Sequence, residues 1–90
     1  MEDREIEQKA RDELERVENI IDNLEVLDRE KASSLLRVLH SYYEDCQGFI
    51  QSGQFLEALE AAFICWAYVD AGLHLGVFKV PESLGGTFTV

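Results

Sequence analysis

Proline is almost missing from this chain: Pro81 is the only one in 90 residues, so residues 1–80 lack the strongest helix breaker. Basic residues are scarce in the same region. Lys31, Arg37 and Lys79 are the only Lys or Arg in the last sixty positions, and the formal net charge is −10. A surface for nucleic acid or for an anionic membrane needs a Lys/Arg stripe, so direct binding to either is not expected. Long apolar runs are also lacking. The longest, AAFICWAYV at 61–69, has nine residues, far short of the ~20 that a membrane span needs. There is no Gly-rich phosphate loop, nucleophile elbow, HExxH or Cys/His cluster. The chain therefore offers no catalytic residue, metal site or cofactor site, and it is not expected to be an enzyme. The first residues, MEDREIEQKARDELER, are charged from the second position, unlike a secretory leader. A cytoplasmic protein is expected, with Cys46 and Cys65 reduced.

What the chain does have is acid and helix. Residues 1–30 carry twelve of its eighteen Asp and Glu, an excess that reads as a solvated face. Hydrophobic content is 47%, ordinary for a globular protein. Ninety residues make one domain, whose stability is expected to be a few kcal/mol or to depend on self-association.

Apolar positions mark three helices, at about 2–25, 29–52 and 54–75, within a single domain of residues 1–80. Ile6, Ala10, Leu14, Val17, Ile21 and Leu24 form a narrow stripe on the first, suited to a covering helix. Asp28 is placed to cap the second, with Leu27 stapled onto Ala32. Ala32, Leu35, Leu39, Tyr42, Cys46 and Phe49 form its stripe, widened by Leu36, Tyr43 and Ile50, enough for two neighbours. Gly48 either marks a close backbone contact there or is merely tolerated at a cost of about 1 kcal/mol. Ser52-Gly53-Gln54 ends this helix with Gly53 as the left-handed residue, and so short a link requires an antiparallel hairpin. Facing residues of the hairpin should sum to about 106. That sets Cys46 and Cys65 about five residues out of step, too far for a disulfide, and puts Arg37 near Asp70 as a candidate ion pair.

The third helix is apolar nearly all the way round. Phe55, Leu59, Ala62, Phe63, Trp66, Val69 and Leu73 fall within about 60° of one direction and are taken as its core face. Glu57 and Glu60 lie opposite. Farther along, that back face becomes Ile64, Tyr68, Ala71 and Leu75, a candidate interface. Either the first helix covers it or another chain does, in a homodimer or with a different protein. Gly76 ends the helix, and residues 81–90 follow as an extended tail, with Phe78 and Phe88 available to dock it.

Other side chains that could carry chemistry have plainer roles. Asp70 and His74 (i, i+4) supply two metal ligands at most. Glu44, Glu57 and Glu60 read as a solvated acidic face, while Tyr42, Tyr43 and Trp66 fit core stripes. Arg37 and His40 are too closely spaced for the Arg…His pair of helical HEPN ribonucleases.

The stretch SYYEDCQGFIQSGQFLEALEAAFICWAYVDAGLHLGVF resembles the core signature of the archaeal Domain of Unknown Function 357 family. Tyr42, Tyr43, Asp45, Ser52, Gly53, Ala58, Glu60, Asp70, Ala71, Gly72 and Gly76 carry the resemblance. It implies a small three-helix bundle and no established activity. The expectation is an all-α, up-down-up bundle that acts as an interaction or oligomerisation module without catalysis. An alternative is an accessory domain to a nucleotide- or RNA-processing enzyme, with a weak ligand site near Arg37, His40 and Asp70.

Overall fold

The computed structural model describes residues 3–85. Three long helices dominate: α1 (Asp3–Asn23), α2 (Arg29–Gln51) and α3 (Phe55–His74). They form an up-down-up bundle in which α2 and α3 make the tightest pair and α1 packs mainly on α3. Side-chain pairs one turn apart support α1 along its border with α3, including Arg11 with Glu7 and Arg16 with Glu13, each at 2.8 Å. Asp28 caps α2 as expected, its carboxylate accepting from the Lys31 backbone N–H at 3.0 Å. The staple does not form. Leu27 is 53% exposed, and Ala32 packs with Val77 and Phe78 instead.

Both α2 and α3 stop in the same way. Gly53 (φ 76°) lets the Gln54 N–H reach the Phe49 carbonyl at 2.8 Å, with Gly53 bonded back to Ile50. Gly76 (φ 74°) does the same for Val77 and Gly72 at 3.0 Å, with its own N–H on Leu73. These paired bonds satisfy the last carbonyls of each helix and turn the chain sharply. After the second stop, Phe78–Lys79 (β2) pairs antiparallel with Glu25–Val26 (β1) in the link between α1 and α2. The bond from Leu27 N–H to the Val77 carbonyl, 2.8 Å, completes the clip. The sequence carries no strand signal at Glu25–Val26, because two residues are too few to show alternation. Beyond Pro81 the chain makes a helical turn, α4 (Glu82–Gly85), so the extended backbone precedes the proline rather than following it at once. The expected docking of Phe88 and the strand propensity of 87–90 lie outside the described residues.

Two thiols mark the register of the α2–α3 hairpin. Cys46 Sγ donates to the Ala58 carbonyl at 3.3 Å, and Cys65 Sγ donates to the Leu39 carbonyl at 3.8 Å. Both pairs sum to 104, close to the expected 106. Each cysteine is free and buried, reaching the backbone of the opposite helix. Such contact requires close approach, which small residues allow. The buried arc of α3 is Ala58, Ala61, Ala62, Cys65, Val69 and Gly72.

That arc corrects the expected core face. Ala62 and Val69 are buried as expected, and Phe55, Leu59, Trp66 and Leu73 are half-buried against the core. Phe63, however, is 56% exposed. The buried arc is rotated by about 90° from the expected one at 100° per residue. The physical reason is that α3 has two neighbours of different kinds. It presents small side chains to α2, whose backbone the two thiols reach, and large ones such as Trp66 and Phe55 to α1.

Candidate functional site

Where α1 sits decides the fate of the back face. Trp66 Nε1 donates to Glu13 Oε2 at 2.9 Å, and the Arg16 guanidinium lies over the Trp66 ring at 5.6 Å. One and a half turns earlier in α1, Arg11 lies over Phe55 at 5.9 Å. These contacts hold α1 on the Phe55–Trp66 side of α3. Ile64, Ala71 and Leu75 point away from that side, so α1 does not cover them.

The four expected interface residues are only partly alike in their surroundings. Leu75 is 67% exposed, and Ile64 and Ala71 are half-buried at the surface. Tyr68 is half-buried and turned toward α2, where its ring stacks on Tyr42 with centroids 6.3 Å apart and planes at 25°. The structure adds Leu56, which the sequence reading passed over, and Phe63, which it placed in the core, while Ala67 lies beside the back face as the sequence places it. Leu56 is 58% exposed, Phe63 is 56% exposed, and Ala67 is exposed between them. With Ile64, Ala71 and Leu75 they make an apolar strip along the outer side of α3. Its charged groups are Glu57 and Glu60 near the start and His74 at the finish, with the half-buried Asp70 along the edge beside Phe63. A signal for this strip was available. Ala58, Ala61, Ala62, Cys65, Val69 and Gly72 recur at helical spacing, and a run of small residues marks the side where another helix comes close.

Arg37 and His40 are exposed on α2, and Asp70 is half-buried on α3. Positions 37 and 70 sum to 107, within three residues of the register defined by the cysteine bonds, so Arg37 and Asp70 share a level of the hairpin. Among the described residues no group of three or more His, Cys, Asp or Glu could hold a metal ion. No helix among them is long and apolar enough to cross a membrane.

On the opposite side, the groove between α1 and α2 holds a small polar network. Gln47 Nε2 donates to the Tyr43 hydroxyl at 3.2 Å. Burial, a hydrogen bond to Glu18 and the nearby acids push the Tyr43 hydroxyl up to about 12. Burial likewise pushes the Cys46 thiol up to about 11 and Cys65 to about 12. Both thiols are thus neutral at physiological pH, the opposite of an activated nucleophile.

Comparison with solved structures places this arrangement beside the crystal structure of protein AF1782 from Archaeoglobus fulgidus, itself matched to the DUF357 family model. The TM-score is 0.74 at 24% identity, over 88% of this chain and 97% of that one, so the two share a fold. No curated protein matches the chain. The family model described as "Protein of unknown function (DUF357)" matches residues 6–78, most of the chain, and the protein belongs to that family.

Proposed function

We propose that the protein is a non-catalytic cytoplasmic interaction module, associating through the outer face of α3. One observation carries this reading: α3 is apolar nearly all the way round, yet its neighbours leave Leu56, Phe63, Ala67 and Leu75 exposed. A helix of that composition normally lies inside a larger core, and apolar patches of this kind usually mark interfaces. Ile64, Ala71 and Leu75 are the side chains that contact the partner. Tyr68 supports them from beneath by stacking on Tyr42.

The test is association of the purified chain, followed by light scattering over a hundredfold concentration range. Leu75→Glu, at an exposed position, should keep full helicity and abolish association with itself or with a captured partner. Association indifferent to that change would overturn the reading. Binding of a nucleotide to the pure protein, lost in Asp70→Asn, would instead favour the accessory role near Arg37, His40 and Asp70.

A further inference from the structure

The outer face of α3 has charge and shape that complement its own, read in reverse. At 100° per residue, Glu60, Ala67 and His74 fall within about 40° of one another on the exposed side. All three are exposed. Glu60 and His74 each lie seven residues from Ala67, two helical turns on either side. A parallel neighbour would set acid against acid. An antiparallel neighbour sets each carboxylate against an imidazole.

We propose that α3 pairs antiparallel with α3 of a second copy of this chain, Ala67 lying at the twofold axis and Glu60 of each copy facing His74 of the other. This rests on the reading of the face as an interface and adds the partner and the register. An isologous contact of this kind satisfies both ends at once. In the same register, where facing positions sum to 134, Ile64 of one copy comes within one residue of Ala71 of the other, large beside small. Ala67, exposed and small, lets the two helices cross closely, and the exposed Phe63 rings fill the space beside that crossing.

Charge over the rest of the surface favours the same face. The chain carries a net −10, concentrated in residues 1–30, so most approaches between two copies are repulsive. Between Glu60 and His74 the centre line of the outer strip of α3 is apolar, with the half-buried Asp70 at its edge about 60° from Ala67, so two copies meet along that line with less opposing charge than elsewhere. A single helix face, about 30 Å long and about 10 Å wide, is small for a permanent dimer. The expected association is therefore weak, in the micromolar range.

The test uses the full chain in sedimentation equilibrium from about 5 µM to about 500 µM. Wild type should show a concentration-dependent dimer, and Ala67→Glu should leave only monomer. Glu60→Lys should weaken the dimer about tenfold or more, and Glu60→Lys combined with His74→Glu should restore it to within a few-fold of wild type. All of these positions are exposed, so circular dichroism should show unchanged helicity. A chain that stays monomeric throughout overturns the second copy as occupant. The broader reading is then decided by whether Leu75→Glu affects capture of another protein. A dimer unaffected by Ala67→Glu overturns the face itself. A dimer lost in Ala67→Glu but not restored by the double exchange overturns the antiparallel register and leaves the face as an interface.

Discussion

Gly72→Ala is the substitution on which the packing of this bundle is most exposed to test. Gly72 is buried in the last turns of α3, and the ring of Phe78, 2% exposed, lies directly on it. A Cβ built at position 72 falls 2.7 Å from Phe78 Cγ and nearer still to Cδ2 and Cε2. Phe78 cannot simply step aside. Its backbone pairs with Val26, and the adjacent Val77 N–H is bonded to the Gly72 carbonyl at 3.0 Å. Two effects oppose each other. Ala favours the helix over Gly by about 1 kcal/mol. Moving the ring costs about 1–3 kcal/mol as overpacking, plus part of the roughly 1.5–3 kcal/mol from burying it. The clash wins, with a net loss of about 2 kcal/mol. For a domain of this size the Tm should fall by about 8–16 °C, read as the thermal loss of the helical signal. Removing the ring separates the two effects. In a Phe78→Ala background, which removes the three atoms nearest the new Cβ, the same Gly72→Ala change should cost under about 0.5 kcal/mol or become stabilising. A Tm unchanged or raised by Gly72→Ala alone would refute the reasoning.

Gly48 supplies the opposite case. A Cβ there meets nothing within 4 Å, so Gly48→Ala should stabilise by about 1 kcal/mol and raise the Tm by about 4–8 °C. Glu13→Ala removes the acceptor of Trp66 Nε1 and the partner of Arg16. It should cost roughly 1–2 kcal/mol in urea unfolding and shift the emission of the single Trp. Stability should also depend on alkaline pH. The unfolded chain releases its thiol protons near pH ~8.5, while folded Cys46 and Cys65 hold theirs to about 11 and about 12. The native state binds more protons in that window, so its stability is complete below it and falls as pH rises through it. Urea midpoints at about pH 8 and about pH 10 should differ, and the difference should shrink in a Cys46→Ala, Cys65→Ala variant.

The two helix stops show how much local chemistry could be read from the chain alone. Gly53 and Gly76 each follow the last apolar position of a helix, and each adopts the left-handed conformation that closes it. Asp28 likewise caps α2 without help from any distant residue. The candidate surface was legible only in part. Ile64, Ala71 and Leu75 do lie on the outside of α3, because they stand opposite the large residues that meet α1. Phe63 and Leu56 were not legible as exposed, since size and hydropathy alone argue for burial. The register of the hairpin came within two residues of the observed pairing, because a three-residue link leaves antiparallel helices little freedom to slide.

The sequence by itself determined three helices, their ends, and the antiparallel α2–α3 hairpin. Each follows from the spacing of apolar residues and from glycine or aspartate acting within a few positions of itself. Tertiary structure alone decided which arc of α3 is buried and that Phe78–Lys79 clips onto Glu25–Val26. A helix that is apolar all round has no phase to read. Its orientation is chosen by the neighbour that can come closest, across Ala58, Ala61, Cys65 and Gly72. A two-residue strand has no period, and it exists only because the glycine stop at Gly76 returns the chain to the α1–α2 link.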